Sequence, residues 1–226
     1  MSRYTTLSKM EIEIPVTKTR KFRSWFAGSK VKDGVGNPIV CYHGSKSVIN
    51  EFDFKYTGQG NDQIGSGFYF TTDRDEARAY GGNIHECYLA ITKPLDADKV
   101  GSVSKDAIRR IIMKAPNLED GLSNWGDVSY EGRESVIRRA IENYEIRGEN
   151  IVKGLFNLAN DFYDGEVKAF NSRIHLTLGY DGVVKHHQGK THYVAFFPYQ
   201  IKATTSRNFD QESNNIYAST VSSISL

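Results

Sequence analysis

YHGS at residues 42–45 and GSGFYFTT at residues 65–72 are the two most informative segments of this chain. Each places a polar or aromatic side chain at the end of an apolar run, which predicts two short buried strands. The glycines beside those side chains let a ligand approach the backbone closely. A further tyrosine, Tyr80, follows eleven residues after Tyr69. Together these residues offer an imidazole, two phenol rings and bare backbone amides.

Hydrophobic spacing outward from these segments predicts a mixed order of helices and strands. The predicted elements are a helix over 18–29, strands over 39–42, 68–71, 84–92 and 191–197, and a helix that begins at Thr72 or Asp73 and ends at Tyr80. The first two strands deliver His43 and Tyr69, respectively.

The domain organisation predicted from the sequence is one domain over residues 18–226, preceded by a polar leader over 1–17. Residues 102–163 repeat apolar side chains at helical spacing, which predicts a helical insert between two halves of a sheet. The Ser/Thr/Asn-rich residues 203–226 are expected to form a loosely packed C-terminal tail.

Composition excludes few functions. The 29 Lys and Arg residues nearly balance the 27 Asp and Glu residues, so only a local basic patch would support nucleic-acid binding. Cys41 and Cys87 lie in apolar runs, which predicts buried free thiols. Residues 1–14 lack the apolar segment of a signal peptide, and no apolar run is long enough to span a membrane. A cytoplasmic protein is expected, although a protein exported by a dedicated machine into a host cytosol would look the same.

The order of these motifs resembles the NAD pocket of the diphtheria-toxin-like and poly(ADP-ribose)-polymerase-like ADP-ribosyltransferases. In that family one strand carries His-Gly-Thr/Ser, a second carries Gly-x-Tyr-Phe, and another tyrosine follows on a helix. The chain is similar to the ADP-ribosyltransferase domains of phage polyvalent proteins and of bacterial toxin or effector chains. The strings that carry this similarity are FRSWF (22–26), YHG (42–44), GFYFT (67–71), YDG (180–182) and YVAFFP (193–198).

The resemblance implies an α+β fold in which two small antiparallel sheets meet around an NAD cleft, with a helical insert. It implies a mono-ADP-ribosyltransferase that takes NAD as co-substrate, uses no metal, and modifies a macromolecular acceptor. Basic residues in the loop 185–190 favour nucleic acid slightly over protein as that acceptor. The implied setting is a bacterial toxin, a phage-defence protein or a phage effector, held in check by an antitoxin or inhibitor protein.

The resemblance also implies roles for individual residues. The implied catalytic residues are His43, Tyr69 and His192. The implied NAD-binding residues are His43, Gly44, Ser45, Gly67, Tyr69 and Tyr80. The two tyrosine rings would enclose the nicotinamide, the Gly44 backbone would bind its carboxamide, and His43 and Ser45 would bind ribose hydroxyls.

His192 stands where such enzymes usually have a glutamate. A neutral imidazole can accept one hydrogen bond, but it has no negative charge to stabilise an oxocarbenium-like transition state. We therefore expect weaker stabilisation, or an acid supplied by Glu51, by Glu86 or by the acceptor. We also expect the transfer of single ADP-ribose units rather than chains.

Two other functions fit the same residues. A binding module for NAD or ADP-ribose would keep the pocket without catalysis. A metal-independent ribonuclease would use His43 and His192 as an acid–base pair. A zinc site at His186, His187 and His192 is disfavoured, because no cysteine or carboxylate joins them at ligand spacing.

Overall fold

The computed structural model describes residues 15–57, 64–207, 209–210 and 212–217. Most of the predicted leader and the end of the predicted C-terminal tail lie outside the described residues. The helices are α1 (Arg20–Trp25), α2 (Arg74–Arg78), α3 (Lys105–Ile112), α4 (Leu118–Ser123), α5 (Val128–Glu131), α6 (Arg133–Tyr144), α7 (Ile151–Tyr163) and α8 (Val167–Leu178). The strands are β1 (Cys41–Ser45), β2 (Phe68–Thr71), β3 (Asn83–Leu89), β4 (Pro94–Asp96), β5 (Val100–Val103), β6 (Ile146–Asn150), β7 (Gly182–His187), β8 (Lys190–Ala195) and β9 (Ile201–Ala203).

Seven strands form one sheet in the order β4-β7-β8-β2-β1-β3-β9, with every neighbouring pair antiparallel except β4 and β7. The predicted α+β class is confirmed. The expected two sheets are hydrogen-bonded into one, but β1 and β2 share a single register pair, Tyr42 with Thr71. By contrast, β1 and β3 share five register pairs and β2 and β8 share four. The two halves therefore separate beyond Tyr42, on the side of His43.

Both faces of the sheet are covered by packed side chains. Successive side chains of a strand point in opposite directions, so each strand contributes to both faces. On β8, Val194 belongs to the core shared with the helices, and Tyr193 belongs to a core on the other face. Phe68 and Phe70 of β2 join that second core. Each half of the sheet is thus held by its own packing as well as by strand pairing.

The helices after β5 pack on one face of the sheet and run as far as Leu178. Helix α3 begins at a Ser104 cap and buries Ile108, Ile111 and Ile112 on one stripe, as its spacing predicts. Helix α8 lies beyond the range 102–163 predicted for the insert. The predicted insert also contains β6, which pairs with β5. None of the described helices is both long and apolar enough to cross a bilayer.

Cys41 and Cys87 are buried free thiols, as predicted, and they face each other across β1 and β3. Burial raises the pKa of the Cys41 thiol to about 12. The described part of the C-terminal tail is packed more tightly than predicted. The buried Lys202 ammonium donates to the backbone oxygens of Ser213 and Asn215, at 2.5 and 3.1 Å, and Ile216 is fully buried beside β9.

Candidate active site

A cleft of about 640 Å³ opens where the two halves of the sheet separate. This volume lies within the range of about 300–1,000 Å³ that is typical of small-molecule sites. Five of the seven predicted site residues line it: His43, Gly44, Tyr69, Tyr80 and His192. Ser45 and Gly67 are not among the residues that line it. The chain therefore brings together at one place residues that are up to about 150 positions apart in the sequence.

His43 lies in the middle of β1, and its protonation state is set by its neighbours. Its Nδ1 is 2.7 Å from the backbone oxygen of Tyr69, so Nδ1 carries a hydrogen and donates it. The ring packs edge-on against Phe52, with the ring centres 5.0 Å apart. Burial lowers the pKa of His43, although the bond to the Tyr69 oxygen opposes this shift. The neutral ring keeps a lone pair on Nε2, which has no hydrogen-bond partner in the described part of the chain and can accept from a ligand hydroxyl.

Tyr69 is fixed at its hydroxyl end by the loop that precedes β2. The hydroxyl donates to the Gly65 oxygen at 2.5 Å and accepts from the Ile64 amide at 3.4 Å. Asn171 of α8 steadies the same loop, because its Nδ2 donates to the Ser66 oxygen at 3.0 Å. The ring is half-buried and lines the cleft. It is therefore held in a set position beside any ligand.

Helix α2 and the residues after it bring Glu76, Ala77 and Tyr80 to the cleft. Asp73 caps the helix by accepting from the Asp75 and Glu76 amides at 2.9 Å, as the sequence predicts. Tyr80 follows the helix and is 71% exposed, so an open aromatic face borders the cleft. The helix lies close to β1 because residue 44 is a glycine. A Cβ at Gly44 would lie 1.7 Å from the backbone oxygen of Ala77.

Ser45 and Gly67 have local contacts of their own. The Ser45 hydroxyl donates to the backbone oxygen of Ser47 and lies 3.2 Å from Nε2 of His85. Gly67 directly precedes β2, and a Cβ there would lie 2.6 Å from the Ala195 oxygen on β8. The close strand packing thus accounts for a glycine at position 67, and NAD binding by these two residues stays a prediction.

His192 of β8 is paired with a carboxylate that the sequence interpretation missed. Its Nε2 lies 3.1 Å from Oε2 of Glu76, and the Thr71 hydroxyl donates to the same oxygen at 2.6 Å. Pairing of β8 with β2 brings His192 opposite Thr71. Partial burial acts to raise the pKa of Glu76, but the bonds from Thr71 and His192 and the charge of Lys190 outweigh it and lower that pKa. Glu76 is therefore ionised at neutral pH.

The two glutamates that the sequence offered as substitute acids lie elsewhere. Glu86 is exposed on β3 and pairs with Arg74 at 3.3 Å. Glu51 is exposed and takes part in an isolated β-bridge with Asn215. Neither lines the cleft. The carboxylate beside His192 comes from Glu76 instead.

Comparison with known families identifies the chain. A family model described as ADP-ribosyltransferase in polyvalent proteins matches residues 33–211, which is most of the 226 residues and includes every predicted site residue. The chain belongs to this family. It is an ADP-ribosyltransferase, and the resemblance inferred from its motifs is confirmed. Searches of curated proteins and of solved structures found no significant match.

The β7–β8 hairpin forms one wall of the cleft of this transferase. Lys185 and His187 line the cleft, and Lys185 has no ion-pair partner among the described residues. Lys190 at the start of β8 pairs with Asp73 at 2.8 Å, which ties the hairpin to the cap of α2. The hairpin therefore adds positive charge on the side of the cleft where His192 lies.

The described part of the transferase contains no group of three or more His, Cys, Asp or Glu residues arranged to hold a metal ion. Among the three histidines considered for a zinc site, Nδ1 of His186 lies 3.0 Å from the Thr191 hydroxyl. His192 is bonded to Glu76, as described above.

Proposed function

We propose that this transferase uses NAD as donor and attaches one ADP-ribose to a nucleic-acid acceptor. The observation that supports this is that neutral His43, two phenol rings and the His192–Glu76 pair meet in one cleft. These groups match the chemistry of NAD. Its nicotinamide is a flat cation, and its riboses present hydroxyl donors.

Each group has a distinct part in binding the donor. The lone pair on His43 Nε2 accepts a hydrogen bond from a ribose hydroxyl, because Nδ1 already donates to the backbone oxygen of Tyr69. The rings of Tyr69 and Tyr80 enclose the nicotinamide, to which stacking and cation–π attraction contribute about 1–2 kcal/mol. The backbone of Gly44 binds the carboxamide.

The reaction breaks the bond between nicotinamide and ribose. The electron pair leaves with the ring, so the ribose becomes oxocarbenium-like and positive charge develops at C1′. A site accelerates this step by stabilising that charge more strongly than it stabilises the ground state. His192 and the ionised Glu76 supply the polar side of the cleft where that charge forms.

The acceptor is a nucleic acid in this proposal because the hairpin wall is basic. Lys185 and His187 stand beside the cleft, and phosphate groups are the natural partners of such side chains. The role we propose, a phage effector, phage-defence protein or bacterial toxin, rests on the resemblance of the sequence motifs. An antitoxin or inhibitor protein would then cover the cleft. Expression of the transferase without this inhibitor should slow bacterial growth, and replacement of His43 should remove that effect.

Incubation with labelled NAD and separate RNA, DNA and protein pools tests the proposal. We expect label in a nucleic-acid pool as single ADP-ribose units, since position 192 carries a histidine in place of the glutamate, and Glu76 is engaged by Thr71 and His192. The measurement is mass spectrometry of the digested product. Label in protein alone would make protein the acceptor. Polymer ladders would contradict single-unit transfer, and cleavage of RNA without NAD would favour a ribonuclease.

Replacing either stacking tyrosine should weaken NAD binding. Tyr69→Ala and Tyr80→Ala should each raise the Kd for NAD about tenfold, because one aromatic face contributes roughly 1.4 kcal/mol. Tyr56→Ala is a matched control, since Tyr56 is as exposed as Tyr80, at 71%, but does not line the cleft. Titration calorimetry measures the three constants. An unchanged Kd in Tyr80→Ala would remove that residue from the binding site.

A further inference from the structure

We propose that Glu76 and His192 form a carboxylate–imidazole pair that takes the proton from the acceptor during transfer. The inference rests on the proposed function, because it concerns the same cleft. It adds Glu76 as a positioning residue and gives His192 the role of general base. The pair joins α2 to β8 across the wall of the cleft.

The hydrogen bonds assign a state to each atom of the pair. Glu76 Oε2 accepts from both the Thr71 hydroxyl and His192 Nε2. Because an ionised carboxylate only accepts, Nε2 carries a hydrogen. The basic lone pair of the neutral imidazole is then on Nδ1, which has no hydrogen-bond partner within the described ranges. Nδ1 is thus the atom that can receive a proton.

The surroundings of the pair favour this role over the other candidate bases. Glu76 is the one carboxylate among the described residues that line the cleft. Lys185 and His187, also in the lining, lie on the β7–β8 hairpin and are not bonded to a carboxylate in the described part of the chain. His43 is committed to holding the Tyr69 oxygen on one side of its ring. Among the described residues that line the cleft, only His192 combines a free ring nitrogen with a carboxylate on the opposite nitrogen.

The carboxylate suits His192 to this role in two ways. It fixes the ring so that Nδ1 has a set direction, and it balances the positive charge that the imidazole gains on protonation. The two side chains are about a quarter exposed, at 24% and 27%, so their interaction is partly shielded from water. Thr71, itself buried, holds the carboxylate in place.

The step balances without a further reactant. The bond between C1′ and the nicotinamide nitrogen breaks, and its electron pair neutralises the positive ring, which leaves. A hydroxyl or amino group of the acceptor forms the new bond to C1′. Its proton moves to Nδ1 of His192, and the Glu76 carboxylate faces the resulting imidazolium. Release of that proton to water restores the pair.

The test compares wild-type protein with Glu76→Gln, His192→Gln and the double variant. Glutamine keeps the size of Glu76 and can still accept from Thr71, so Glu76→Gln removes the charge and little else. Asp75→Asn is the matched control, because it removes one negative charge from the same helix at a side chain that is 85% exposed and away from His192. Melting temperature, NAD affinity by calorimetry and single-turnover transfer are measured for each variant.

We expect Glu76→Gln and His192→Gln to lower the transfer rate by about 10²–10⁴-fold, which is the usual contribution of a general base. NAD affinity should change by less than about threefold, because the pair acts on the acceptor's proton. The double variant should be nearly as active as the slower single variant, since two residues that act as one unit are not additive. Added imidazole should restore part of the transfer in His192→Ala and less of it when Glu76 is also replaced.

A wild-type transfer rate in Glu76→Gln would overturn this inference and leave the proposed function standing. Additive losses in the double variant would also overturn it, because the residues would then act separately. A loss of NAD affinity as large as the loss of transfer would make Glu76 a binding residue instead. A wild-type protein that neither binds NAD nor transfers ADP-ribose would overturn the proposed function, and this inference with it.

Discussion

His43→Ala should lower ADP-ribosyl transfer by about a hundredfold or more, because a donor that is misplaced by even an ångström reacts far more slowly. The residue contributes the Nε2 lone pair to the cleft and, through Nδ1, holds the strand that carries Tyr69. The sequence suggested that His43 ends a strand, so that its loss would cost little stability. In the structure it lies within β1 and packs against the core residues Phe52 and Phe70, so alanine also removes packing from the edge of the core.

His43→Asn separates these two effects. The asparagine amide can still donate to the Tyr69 oxygen, but it has no atom in the place of Nε2. His85→Asn is the matched control. His85 lies directly opposite His43 on β3, and burial lowers its pKa as well. It does not line the cleft. A His43→Asn variant that melts like the wild type and labels its acceptor at the wild-type rate contradicts the assignment.

The same assignment has a consequence for pH. Burial lowers the pKa of His43, so the ring stays neutral below the ordinary histidine value of about 6.5. NAD affinity should therefore hold from pH 7.5 to about 6.5 and fall only at lower pH, where protonation removes the Nε2 lone pair. The free energy of unfolding should also fall as the pH is lowered. The unfolded chain takes up the proton more readily than the folded one, so His43 destabilises the fold as the pH falls.

Gly44→Ala should abolish transfer although Gly44 has no side chain to react. The new Cβ would lie 1.7 Å from the Ala77 oxygen, which is backbone and cannot rotate away. Helix α2 must then move from β1, and with it move Glu76 and Tyr80. We expect the free energy of unfolding to fall by about 1–3 kcal/mol or more, as in other overpacked cores. Thermal melting and the transfer assay measure the two effects.

Gly82→Ala is the control for that change. Gly82 lies just beyond Tyr80, and a Cβ there would meet nothing within 4 Å. Its substitution should leave both the melting temperature and transfer near the wild-type values. If Gly44→Ala instead behaved like Gly82→Ala, the close packing of α2 on β1 would not be what holds Glu76 and Tyr80 in the cleft.

Much of the architecture can be read from local sequence. The strand that carries Tyr69, the Asp73 cap of α2 and the apolar stripe of α3 depend on side chains a few residues apart, so spacing predicts them. The limits of the helical region were less well predicted. Helix α8 lies past the predicted insert, although its buried Val167, Phe170 and Ile174 follow helical spacing, so the same reasoning could have found it.

The sequence by itself determined the family, the α+β class and which residues are candidates for the NAD site, because motifs such as those at residues 42–45 and 65–72 carry their chemistry in adjacent residues. Only the tertiary structure decided which carboxylate stands beside His192. Glu76 and His192 are 116 residues apart, and no local pattern links them. They meet because β8 pairs with β2 and because Gly44 lets α2 lie against β1. Contacts of this kind depend on strand register and close packing, which a single sequence does not display.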